Sequence, residues 1–230
     1  MNASSNIFIR NQASFYPMLN FTVGKDKLAA VDLSGSATDL YPSIIEDTAL
    51  FAAYIHKKTK GAKFGLGGYA EYREVYSRSS VFDAEITGGE PRRLHLGTDI
   101  WGTMGTPVFA PIGGMIHGFG FNDNFGDYGA TLILQHQLEG FGFYTLYGHI
   151  SLADINHIQE GEYVIRGQEI AHFGNSDENG HWPPHLHFQV IFDIGMNRSD
   201  YPGVCRYSDR EKYLSNCPDP DLILQLNQYL

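Results

Sequence analysis

Cysteine is nearly missing: Cys205 and Cys217 are the only two in 230 residues, so a cysteine-built zinc site is excluded. Between these two a disulfide remains open in an oxidising compartment, and a pair of thiols in a reducing one. No apolar run approaches the roughly 20 residues that would span a bilayer, so no membrane-spanning helix is expected. The opening stretch MNASSNIFIRNQASFYPMLNF lacks the basic start, continuous apolar segment and small-residue cleavage site of a secretory signal. The expectation is a chain that stays in the cytoplasm, leaves by a non-Sec route, or is already processed. HExxH is absent, which removes the glutamate base of thermolysin-type sites. Positive charge is scarce where it matters most. From His95 to His187 a single cation, Arg166, faces ten carboxylates, so this stretch carries −9 of the chain's net −10. Such a surface repels phosphate backbones and excludes nucleic acid as a partner, while it favours substrates bearing amines.

Nine of the ten histidines fall in that same stretch. Three of them sit in HWPPHLHFQVIF, residues 181–192. Read as a β-strand, it sends alternate side chains to opposite faces. Leu186, Phe188, Val190 and Phe192 then form a core face, and His185, His187 and Gln189 share the other. His185 and His187 stand about 6.5–7 Å apart along the backbone, so both can point at one small object. One histidine could hold a metal while its neighbour reaches a water.

With 43% hydrophobic and 13% aromatic residues, the chain has the composition of a globular protein with one sizeable core. Residues 41–61 carry the strongest helix signal, with acidic early turns, periodic apolar positions and a Lys-rich end before Gly61. One helix is expected over about 43–60, within an N-terminal extension spanning 1–68. Beyond it, short apolar or alternating runs broken by Gly, Asn and Asp describe a mainly β fold, an antiparallel sandwich or barrel-like core. DPDLILQLNQYL predicts a short C-terminal helix packing back on that core, within a tail spanning 195–230. The piece GEYVIRGQEIAHFG resembles a hairpin of lipoyl or biotin carriers, but no lysine lies between Lys63 and Lys212 to bear the prosthetic group.

In RRLHLGTDIWG, His95 and Asp99 would be about 13 Å apart on a straight strand, so sharing an ion requires a bend, which Gly97 permits. Two such residues, with a third ligand from His185 or His187, make a three-ligand zinc set with a position left for water. HLGTDI, LYGHI and HLHF, in this order and over about Tyr69 to Phe192, resemble the M23 metallopeptidases, the lysostaphin and LytM type of peptidoglycan endopeptidase. The resemblance implies a metallopeptidase core at 69–194 and one zinc per chain on His95, Asp99 and His187. It implies that His149 and His185 form the unligated catalytic pair, assisting a zinc-activated water in hydrolysing a peptide or peptidoglycan-derived substrate. Gln189 stands where the family usually has glutamate, and the loop before HLH is long and ends in His-Trp-Pro-Pro. Two alternatives share the fold: a peptidase acting on a non-wall peptide in the cytoplasm, and a catalytically silent binding module. His136 is expected near the site, orienting a ligand; His56, His117, His157 and His172 read as surface or structural, and His181 as an outside candidate for substrate contact.

Overall fold

The computed structural model describes residues 3–83 and 89–230. Its strands are β1 (Leu28–Val31), β2 (Phe64–Gly67), β3 (Leu94–His95), β4 (Thr98–Trp101), β5 (Pro107–Phe109) and β6 (Gly114–Asn122). They continue with β7 (Gly129–Leu138), β8 (Phe141–Ile150), β9 (Tyr163–Val164), β10 (Glu169–His172), β11 (His185–Ile191) and β12 (Val204–Cys205). Eight of them form one sheet in the order β1-β2-β4-β11-β8-β7-β6-β9, while β10 pairs with β5 and β12 with β3. Among the described residues every strand pairing is antiparallel except β1 with β2, which is parallel. The fold is mainly β, as the sequence indicates.

Alternation along β11 decides what each face of the sheet holds. Leu186, Phe188 and Val190 join Ile100, Leu132, Leu134 and Tyr147 in the main core, where α1 (Ala3–Arg10) docks. Phe8 of that helix is fully buried and meets Phe143 edge-on at 4.9 Å between ring centroids. The opposite face carries His185, His187 and Gln189. It is covered by a second cluster that includes Phe51, Tyr76, Trp101 and Trp182, and by a third that includes Leu96, Tyr201 and Cys217.

The single helix expected over about 43–60 is two: α2 (Pro42–Glu46) and α3 (Thr48–Lys58). Asp47 between them is extended, and its carboxylate accepts from the N–H groups of Ala49 and Leu50. It therefore caps the second helix; its place in the early turns of one long helix is corrected. The stretch 1–68 is tied to the sheet. Its β1 and β2 complete the sheet beside β4, and Phe51 of α3 packs edge-on against Trp101 and Trp182. At the C-terminal end α4 (Arg210–Asn216) precedes the expected short helix, α5 (Asp221–Leu224), which stops where Gln225 adopts a left-handed conformation.

Candidate metal centre and active site

The strand register assembles the site. On the ladder between β11 and β4, His187 lies opposite Asp99 and His185 opposite Trp101. His95 arrives from β3, separated from β4 by Leu96 and Gly97. Gly97 matters through space, not through a left-handed turn: a Cβ there would come within 2.6 Å of the His187 ring.

His95 Nε2 and His187 Nδ1 are 2.9 Å apart, and Asp99 Oδ1 lies 3.2 Å from the first and 3.1 Å from the second. Ligand atoms about 2.0–2.1 Å from one tetrahedral zinc would sit roughly 3.3 Å from one another. The triangle observed is nearly that size, and two imidazoles with one carboxylate suit zinc. Among the described residues this is the one group of His, Cys, Asp or Glu that converges in this way.

Each ligand is also held from behind. His95 Nδ1–H donates to the Gly68 carbonyl at 2.9 Å, which leaves the Nε2 lone pair facing the centre. Gln189 is fully buried, and its amide nitrogen donates to Pro202 O at 3.2 Å and Cys217 Sγ at 3.3 Å. Those two acceptors turn its Oε1 toward His187 Nε2, 3.0 Å away. His187 must then carry its proton on Nε2 and keep Nδ1 free for metal. The amide is well suited to this place, since a carboxylate would set an oxygen against the Pro202 carbonyl. Asp99 Oδ2 accepts from Arg73. Burial opposes the charge on Asp99, but His95 and Arg73 outweigh it and hold the carboxyl well below its usual range.

His149 reaches this face by an irregularity. It sits at a register shift between β7 and β8 with φ of +62°, a left-handed conformation that a non-glycine residue adopts at a cost of about 1–3 kcal/mol. Its Nδ1–H donates to Asn179 O, and that of His185 to Pro183 O, both at 2.8 Å. With Nδ1 committed to carbonyl oxygens, Nε2 is the free atom of both rings. The two rings lie 4.1 Å apart, and Trp101 stacks on the other side of His185, also at 4.1 Å. Burial pushes His185 down to about 4 and His149 well below its usual value, the latter helped by the neighbouring His185 and His187. The cleft over these residues is walled by Tyr76, Tyr128, Trp182 and Tyr201, with Arg92, Asp127 and Asp200 also lining it.

The other histidines separate from this group. His136, expected beside a ligand, is instead a core residue: it bonds Gly113 O at 3.0 Å and Thr145 Oγ1 at 2.7 Å and packs on Phe143. The alternation along β7 turns it toward the main core. His117 bonds Asn197 O at 3.0 Å, and His172 lies between Asp154 and Glu169. His56 is exposed. His181 is exposed, left-handed and stacked on Phe125, 5.5 Å between centroids. Cys205 and Cys217 are free and buried. Arg73, Gly68 and Asn179 had no sequence signal, because each acts through a contact distant along the chain or through its backbone carbonyl.

The buried imidazoles make the metal-free protein sensitive to acid. Burial pushes His95, His136 and His185 each down to about 4, against about 6.5 in an unfolded chain. The unfolded state therefore binds more protons in that window, and stability present above about pH 6.5 is lost as pH falls toward 4. Thermal melting after chelation should show a falling midpoint from pH 7 to pH 5. A constant midpoint over that range would contradict the neutral burial of these rings.

The family model of peptidase family M23 matches residues 93–198. An L-Ala--D-Glu endopeptidase of Bacillus subtilis (strain 168) is 31% identical over 175 residues, covering 74% of this chain and 50% of that protein. The chain thus spans about half the length of this curated relative. The catalytic domain of the antimicrobial peptidase lysostaphin from Staphylococcus simulans is 24% identical with a TM-score of 0.43, covering 76% of this chain and 97% of that one. A zinc-containing peptidase from Vibrio cholerae is 28% identical with a TM-score of 0.37, covering 52% of this chain and 34% of that one. With the Bacillus relative 31% identical over 74% of the chain, and His95, Asp99, His149, His185 and His187 all inside the region that the family model matches, the chain belongs to peptidase family M23.

Proposed function

We propose that the protein is a zinc endopeptidase hydrolysing a peptide bond in peptidoglycan-derived peptides. The observation that carries this is the convergence of His95, Asp99 and His187 within 3.2 Å beside two unligated histidines with free Nε2 atoms. When bound, zinc lowers the pKa of water toward about 7 and polarises a carbonyl. One of His149 and His185, both neutral at pH 7, accepts a proton at Nε2 from the attacking water and returns it to the leaving amine. In the protonated state either ring is a cation beside the oxyanion of the tetrahedral adduct. The Trp101 face and Asp99 Oδ1, 4.0 Å from His185 Nε2, favour the charged form of His185. The aromatic walls of Tyr76, Tyr128 and Trp182 line the cleft in which these transfers take place.

The named activity of the Bacillus relative directs attention to bonds between L-Ala and D-Glu. Incubating zinc-loaded protein with muropeptides containing that bond, a glycyl bridge or a D-alanyl crosslink, and weighing the products, tests the reading. Cleavage of one class supports it. Cleavage of unrelated peptides alone would move the substrate away from the wall.

The acidic surface adds a preference. Asp127 and Asp200 lie along the cleft, and burial and Asp127 raise the Asp200 carboxyl, opposed by Arg92. An ammonium group on the substrate relieves that crowding. Cleavage of an amine-bearing muropeptide should exceed that of its acetylated form several-fold at low salt. The difference should shrink as salt screens charges over about 8 Å at physiological strength. Equal rates at low salt would end this part of the reading.

A further inference from the structure

Asp99 has two oxygens and the centre uses one of them. Oδ1 completes the triangle with His95 and His187, while Oδ2 is engaged by Nη1 of Arg73. Arg73 is 1% exposed, an unusual burial for a guanidinium. Around it stand Glu71, which accepts from Nε, Gly68 O at 3.3 Å from Nη2, and the Tyr76 hydroxyl at 3.3 Å from Nη1. Room for it is made on β2: a Cβ at Gly67 would lie 2.7 Å from Nη2. Arg73 precedes residues 93–198, so this contact comes from outside the stretch that matches the family.

A carboxylate with both oxygens free can take a metal through one or through both. If Asp99 took zinc through both, the second oxygen would compete with water for the open position that hydrolysis requires. A charge-assisted hydrogen bond is the strongest restraint a side chain can place on that oxygen. Glu71 on the far side of the guanidinium balances its charge, so Asp99 remains the local anion facing the metal. We propose that Arg73 is a positioning residue that confines Asp99 to one-oxygen ligation and thereby keeps the fourth zinc position open. The proposal rests on the zinc-peptidase reading of this site.

The test uses the full chain and reads the metal as well as turnover. Arg73→Met with Glu71→Gln removes both charges of that pair, so that Glu71 is not left as an unpaired carboxylate and Asp99 Oδ2 alone loses its restraint. This double variant should hold one zinc per chain. Its cobalt-substituted form should show weaker visible bands than the wild type, as expected for a higher coordination number, and kcat should fall at least tenfold with little change in KM. Arg73→Lys, which still donates to Oδ2, should keep the wild-type spectrum and most of the turnover. An unchanged cobalt spectrum in the metal-replete double variant would overturn the proposal, and so would loss of its zinc, because Arg73 would then be holding the ligand set together. If the double variant does not fold, a crystal structure of the zinc-loaded wild type decides: Oδ2 still on Arg73 supports the proposal, and Oδ2 on zinc overturns it. A wild-type protein without stoichiometric zinc would bring down the site reading itself, an outcome distinct from zinc-loaded protein with two-oxygen Asp99.

Discussion

His185→Ala is expected to retain a full equivalent of zinc and lose turnover by roughly 10²–10⁴-fold if the ring is a general acid or base, or about 10²–10³-fold if it acts only on the oxyanion. The geometry explains why metal and rate should separate. His185 commits Nδ1 to Pro183 O, its Nε2 stands 4.0 Å from Asp99 Oδ1, and no ligand atom depends on it. His149→Ala should behave alike, because its own anchor is Asn179 O. The two losses should not multiply in the double variant, since both rings act on one transition state. Zinc analysis beside single-turnover rates checks this. A His185→Ala protein that has shed its metal would mean that the two histidines of HLH are assigned the wrong way round.

The complementary result is expected from His95→Ala, which should lose zinc and turnover together. Removing an outer partner of a ligand weakens metal affinity by roughly 10–100-fold, and removing the ligand itself should do more. His95 is the cleanest choice of the three. Its replacement takes from the Gly68 carbonyl one of two donors, Arg73 Nη2 remaining, whereas Asp99→Ala would leave Arg73 buried with one of its two carboxylate partners gone. Metal content after dialysis against a weak chelator, with circular dichroism to confirm the fold, provides the measurement. Full stoichiometric zinc in His95→Ala would sink the ligand assignment.

What could be read from the chain before folding follows from the range of the forces involved. HLHFQV announces itself because a strand's period of two is written into consecutive residues, and the structure places Leu186, Phe188 and Val190 on the core face as that period requires. The bend between His95 and Asp99 was likewise forced by distance, although Gly97 proves necessary for clearance from His187. Asp47 satisfies two local patterns equally, an acidic first turn and a helix cap, and tertiary packing of Phe51 selects the second. His149 lies beyond local reasoning. Alternation along β8 would turn it away from the site, and only a register shift with a left-handed backbone brings it round. His136 shows the reverse, a histidine in a histidine-rich stretch whose strand parity sends it into the core. Arg73 was illegible because its meaning lies in Asp99, 26 residues on.

The parallel pair β1 and β2 guards an edge. Through β2 the ladder closes on β4, pairing Gly65 with Trp101 and Gly67 with Asp99. A fragment cut to residues 93–198 would keep all five site residues yet present β4 as a bare row of amide and carbonyl groups. Such a row is a template for the strand of another molecule. That fragment is expected to associate with itself by strand addition, with Asp99 and Trp101 drawn into the new seam, and size-exclusion chromatography beside the full chain checks it.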